Sequence, residues 1–116
     1  MARSAVERLA DILAAADAII TFTAGHSRTS YGADLLLRSA VERQLLILGE
    51  AVRRLEALDG TIAARISEHR RIIGLRNIMA HGYDAVDDDV VWQVVTQKLP
   101  LLRAEARAWL AEIDRA

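Results

Sequence analysis

The sequence predicts an all-α fold, and three observations carry that reading. Apolar residues make up 53% of the 116 residues, yet there are only one Phe, two Trp and two Tyr, so the core must be built from Ala, Leu, Ile and Val. Such a core suits closely packed helices better than a β-sandwich, which draws on more aromatic and β-branched side chains and more turn signals. A single Pro in the chain and long apolar runs at three- and four-residue spacing point the same way. At this length one domain over residues 1–116 is expected, arranged as an antiparallel bundle of about five helices.

The elements follow in order. Ser4 and Glu7 match a capping box. Val6, Leu9, Leu13, Ala16 and Ile20 recur at helical spacing, and Gly25 ends this first helix. Residues 26–30 read as a polar loop. A long second helix starts at Tyr31 or Asp34 and runs to Leu58, with Leu37, Val41, Leu45, Leu48, Val52 and Leu55 on its main face. Leu35, Leu36, Leu46 and Ile47 widen that face, and a helix apolar on more than one side has more than one neighbour. It is therefore expected to pack both within its own bundle and across a dimer. Asp59-Gly60 is its terminating turn.

A short helix is expected over residues 61–66 and a fourth over residues 69–81, with Gly82 as the residue that stops it in the left-handed conformation. Asp87 or Asp88 is the N-cap of a last helix that reaches about Asp114 and bends at Pro100.

Net charge is −1, so bulk charge does not advertise a polyanion partner. Local charge says more. Arg65, Arg70, Arg71 and Arg76 lead up to His81, and Asp84, Asp87, Asp88 and Asp89 follow it. Carboxylates at a helix N-terminus are stabilised by its dipole, and these lack the ligand spacing of a calcium loop, so no metal and no cofactor is expected. Cysteine is absent, which removes disulfide and thiolate chemistry. No run reaches the length of a membrane span, and Glu7 and Asp11 interrupt the N-terminal apolar run, so a cytoplasmic chain is expected.

The candidate chemistry sits at the end of the fourth helix, in Arg76-Asn77-Ile78-Met79-Ala80-His81-Gly82-Tyr83. Arginine supplies a planar fork for phosphate oxygens, histidine exchanges a proton near neutral pH, and a tyrosine hydroxyl donates a hydrogen bond or accepts a covalent group. Arg76 and His81 are five residues apart, about 140° around a helix of ~3.6 residues per turn, so they do not share one face. Asn77 and His81 do. The motif therefore works where the helix ends, or where two copies of it meet. Glu50 stands in an apolar run and needs an arginine or a backbone partner. His26 reads as a solvated loop residue and His69 as a surface residue or a stand-in for an aromatic. Trp92 and Trp109 read as packing residues.

The string R-x4-H-x-Y resembles the HEPN superfamily of RNA-cleaving domains, and more narrowly its HepT toxin branch. Ile72-Ile73-Gly74-Leu75-Arg76-Asn77 before it, and Val86-Asp87, Val90-Val91-Trp92 and Leu99-Pro100 after it, fall in the same register, as do Ala40-Val41-x-Arg43-x-Leu45 and Gly49-Glu50-Ala51 upstream. Departures stand at Glu68 and His69, where a Pro and an aromatic are common, and at Asp84, where an aromatic is common. The resemblance implies a HEPN-like homodimer whose two motifs line one cleft, and a metal-independent ribonuclease with Arg76 and His81 catalytic and Asn77 and Tyr83 supporting. It also implies a toxin held in check by an MntA-like minimal nucleotidyltransferase antitoxin that adds AMP to Tyr83. The alternative is a non-catalytic helical subunit that docks on a nucleotidyltransferase.

Overall fold

The computed structural model describes residues 2–82, 84 and 86–115. Among them there is no strand. The helices are α1 (Ala2–Thr23), α2 (Arg28–Ala33), α3 (Leu35–Leu58), α4 (Gly60–Ala63), α5 (His69–His81), α6 (Asp88–Gln93) and α7 (Leu99–Arg115), with a single π turn (Val94–Lys98) joining the last two into one continuous rod.

α3 is the organising element. Leu37, Val41, Leu45, Leu48, Val52 and Leu55 are all buried, as their spacing predicts. α3 packs against both α1 and α5, and α7 packs on α1, while its Glu105 and Trp109 reach Ser67 and Arg65 in the turn before α5. The molecule measures 45 × 29 × 18 Å along its principal axes.

α1 departs from its predicted stripe. Leu9, Ile12, Ala16 and Ile19 are buried, while Val6, Leu13 and Ile20 lie on a half-buried flank. The helix is held from two sides, by α3 and α7, and the buried stripe is set by both neighbours. α1 starts at Ala2, ahead of the expected cap, so Ser4 and Glu7 lie inside the helix. Gly25, with φ of 79°, ends it in the left-handed region as expected.

The expected loop at residues 26–30 instead contains α2. Ser27 caps it, accepting from the Ser30 backbone N–H while the Ser30 hydroxyl accepts from the Ser27 N–H. His26 belongs to this cap, its Nδ1 standing 3.0 Å from Ser30 Oγ, and is half-buried rather than solvated. α2 carries Tyr31 into the core, fully buried, its ring 5.3 Å from that of Trp92. Asp34 then caps α3 by accepting from the Leu37 N–H. Asp59 ends α3 and caps α4, which stops at Ala63, three residues short of the expected end.

The acidic turn after the motif is committed to structure. Asp87 caps α6, accepting from the Asp89 N–H at 2.8 Å. Asp89 pairs with Arg28 of α2 at 2.5 Å, and Asp88 with Arg38 of α3 at 3.9 Å. Farther along, Pro100, where a bend is expected, stands in the first turn of α7, directly after the π turn. A proline ring clashes with the carbonyl four residues back and offers no N–H. The ladder widens just before it: the Leu99 N–H reaches the Val94 carbonyl across a π turn. None of the described helices is long and apolar enough to cross a membrane.

Candidate active site

α5 begins at Glu68, whose φ of 63° is a left-handed conformation that costs energy for a residue with a side chain. His69 beside it is half-buried, its Nε2 3.3 Å from Glu56 of α3. Ile72 and Leu75 bury the inner face of α5, with Met79 packed on the same side. The helix stops at His81. Gly82 donates its N–H to the Ile78 carbonyl with φ of −134°, so the expected left-handed stop is not what ends it.

One residue past Leu75, the chain turns by about 100° and directs Arg76 along α3. The approach there is very close. A Cβ placed on Gly49 would collide with Cβ of Arg76 and stand 3.0 Å from its Cγ and 3.1 Å from the Ile72 carbonyl. Only a glycine lets the arginine stem lie against α3 at this point.

The next residue on α3, Glu50, receives the arginine head. Arg76 Nε is buried and 2.9 Å from Glu50 Oε2, an ion pair in which the N–H is not aimed along the hydrogen-bond axis. Arg76 Nη1 donates to Asn77 Oδ1 at 3.0 Å. Glu50 serves two more arginines. Its Oε1 accepts from Arg53 Nη2 at 2.7 Å and from Arg54 Nε at 3.0 Å, and its Oε2 accepts from Arg53 Nε at 3.2 Å. The hydrogen bonding from Arg53 is the largest cause that holds the Glu50 carboxyl well below its ordinary value, at about 2; burial opposes it and is second in size, and Arg54 and the charge of Arg76 add to the lowering. Three guanidiniums on one carboxylate leave a local surplus of positive charge.

That surplus borders a groove of about 400 Å³ between α1, α3 and α5, whose cationic lining is Arg8, Arg43, Arg54 and Arg76. Leu46, Ile47 and Ala80 supply its apolar part. This is the part of the wide α3 face that α1 and α5 leave open. Leu35 and Leu36, which the sequence places on the same widened face, are the most exposed of the large apolar residues and lie outside the groove.

Within one chain the structure thus brings Arg76 and Asn77 together and keeps His81 apart. His81 is exposed at the last position of α5, on the side away from Ile72 and Leu75. The helical arithmetic had placed it there. Tyr83 lies outside the described residues. Glu50 was legible as an acid in need of an arginine, but its pairing with Arg76, and the groove residues Arg8 and Arg54, were not. A glycine beside a lone acid in an apolar helical run was the available signal. Trp92 packs on Tyr31, and Trp109 lies half-buried under Arg65, whose guanidinium carbon is 3.6 Å from the ring centre.

Comparison with known families matches residues 12–109 to the model described as Ribonuclease HepT-like. The chain belongs to the HepT-like ribonuclease family. Two curated relatives come from Methanocaldococcus jannaschii. One bears the name Putative RNase MJ1380 and is 32% identical over 84% of this chain and 88% of its own length. The other, named Putative RNase MJ1216, is 27% identical over 91% of this chain and 87% of its own. No solved structure matches the chain. Ribonuclease, the enzyme class expected from the sequence, is the class this family carries.

Proposed function

We propose that the chain is a metal-independent endoribonuclease and that two copies complete its site. The observation that carries this reading is the division of the motif on α5: Arg76 is held in an arginine-lined groove while His81 is exposed at the end of the same helix. The groove that holds Arg76 is not lined by His81. A two-fold pairing through α3 and α5 would cover the open groove face and set two Arg76 and two His81 around one phosphodiester.

RNA carries its own nucleophile in the 2′-OH. One His81 takes that proton, and the 2′ oxygen attacks phosphorus. The bond to the 5′ oxygen breaks, and the leaving oxygen takes a proton from the partner's His81. The products are a 2′,3′-cyclic phosphate and a 5′-OH end. Arg76 balances charge as it builds on the phosphoryl oxygens, a contribution that is worth most in a water-poor site. Asn77, bonded to Arg76, serves as a phosphate ligand or as an orienting group for His81.

The chain acts in this reading as the toxin of a toxin–antitoxin pair, silenced by a minimal nucleotidyltransferase that adds AMP to Tyr83. Tyr83 lies two residues past His81, beyond the end of α5. A nucleotide there would bring a phosphodiester charge to the fork that binds RNA and bulk to the cleft. The test is cleavage of total RNA in EDTA by wild type, Arg76→Ala and His81→Ala, with end-group analysis of the products. Cyclic phosphate ends made by wild type alone support the reading. Cleavage by His81→Ala at the wild-type rate overturns it.

A further inference from the structure

We infer that Gly49 and Glu50 form a seat on α3 that positions the Arg76 guanidinium for the RNA phosphate, which makes Glu50 a positioning residue for the cleavage step. The inference rests on the proposed role of Arg76 and deepens it. Arginine is a long, flexible side chain, and its fork recognises phosphate oxygens only in a fixed plane. An exposed arginine would lose rotamer freedom on binding its substrate. Arg76 has already lost it. Its stem is pressed on Gly49, where a Cβ would collide with it, its buried Nε lies 2.9 Å from Glu50, and its Nη1 is bonded to Asn77. Among the described residues the one hydrogen bond from the guanidinium is that from Nη1 to Asn77, so N–H capacity is left for a phosphate oxygen.

Glu50 does a second thing. Arg54 and Arg76 both line the groove and would repel each other without an intervening carboxylate. Glu50 binds both and Arg53 as well, so it gathers the cations without neutralising them. Along the groove four arginines stand against two acids, Glu50 and Asp11, which still leaves net positive charge to face an RNA backbone. A glutamate placed only to stabilise the bundle would need one such partner.

The test compares wild type, Glu50→Gln, Gly49→Ala and Arg76→Ala on a defined RNA oligonucleotide, with kcat and KM separated, helix content recorded, and the Arg76 Nε–H followed by NMR. Glu50→Gln keeps the shape and removes the charge. It should lower kcat by roughly 10- to 100-fold, the scale of a misplaced catalytic group, with KM nearly unchanged, helix content intact and the Arg76 Nε–H signal moved toward that of a solvated arginine. Gly49→Ala should do the same by displacing the stem. A wild-type or raised kcat in Glu50→Gln overturns the inference, since Glu50 would then be idle or a competitor for Arg76; so does an effect confined to KM. If Glu50→Gln loses helix, wild type decides: its Arg76 Nε–H must exchange with solvent more slowly than that of exposed Arg43, and equal exchange overturns the seat. Full cleavage by Arg76→Ala overturns the role of Arg76 itself, whereas an inactive Arg76→Ala beside a fully active Glu50→Gln removes only the seat.

Discussion

Two clusters of acid and arginine flank the motif, and they are put to opposite uses. On α3, one carboxylate, Glu50, holds three arginines, two of which open onto a groove. In the turn after α5, Asp87, Asp88 and Asp89 meet only two arginines, Arg38 and Arg28, and one of the three carboxylates is spent on capping α6. In the first cluster the acid is the minority and organises charge that remains available. In the second the acids are the majority, and each is consumed in tying a turn to α2 and α3 or in starting a helix. The same residue types thus make a site in one place and a fastening in the other. What separates them is which sign is left over and whether it faces an opening.

The comparison is broken most directly by removing the motif groups. His81→Ala and Arg76→Ala should each lower RNA cleavage by on the order of 10²-fold or more, while His81→Ala, at an exposed position, shifts stability by no more than about 0.5 kcal/mol. Single-turnover cleavage assays alongside thermal melts measure both; a folded Arg76→Ala with full activity would make the first cluster as purely structural as the second.

Acid separates the two clusters next. The folded-state value of Glu50, about 2, lies below its ordinary 4.5. Its ion pairs therefore stabilise the fold fully above about pH 4.5, and that contribution disappears as pH falls toward 2. Urea melts of wild type and Glu50→Gln should differ at about pH 6, draw together below about pH 4.5 and converge only at about pH 2. A stability gap that stays constant over this range would mean the three arginines do not hold the carboxylate.

A smaller effect is expected in the fastening. Asp87→Ala removes the α6 cap and should cost about 1 kcal/mol, read from the urea midpoint, with kcat on RNA unchanged. A loss of cleavage without loss of stability would show that the acidic turn belongs to the site. The smallest effect is expected from Arg28→Ala. Arg28 and Asp89 are both exposed enough for solvent to screen them, and neither melting temperature nor cleavage should change measurably in moderate salt.

Much of this architecture was legible before any coordinates. The α3 stripe from Leu37 to Leu55 follows from spacing alone, because a helix buried along one face repeats its apolar positions; the end of α5 at His81 was legible in Gly82, which follows the helix without the left-handed conformation expected of it. The Asp87 cap was one of two positions that spacing allowed. α2 was not legible. It is six residues long, too short for a periodic signal, and its cap uses Ser30 where a glutamate or glutamine is the usual mark. The stripe of α1 was read only approximately, since two neighbours divide its surface. At the site, the separation of Arg76 from His81 was plain from helix geometry. The seat was not, because it depends on where α3 and α5 touch, and sequence distance does not encode that contact. Gly49 looked unremarkable until its missing Cβ was found to be the space that Arg76 occupies.

The π turn at Val94–Lys98 has a consequence for how this chain tolerates change in length. A π turn is an α-helix carrying one residue too many in a single loop of its ladder. Everything beyond it is rotated by about 100° relative to an uninterrupted α-helix. The buried positions Val91 before the turn, Val94 and Val95 at its start, and Leu99, Leu102 and Ala106 after it are in phase with the core only because the surplus residue sits among them. Deleting one residue here would restore a regular ladder and swing the Leu99–Leu102–Ala106 edge away from α1. A deletion that improves local hydrogen bonding would thereby unseat the C-terminal half of the rod, so the irregularity works as a phase correction on which α7 depends.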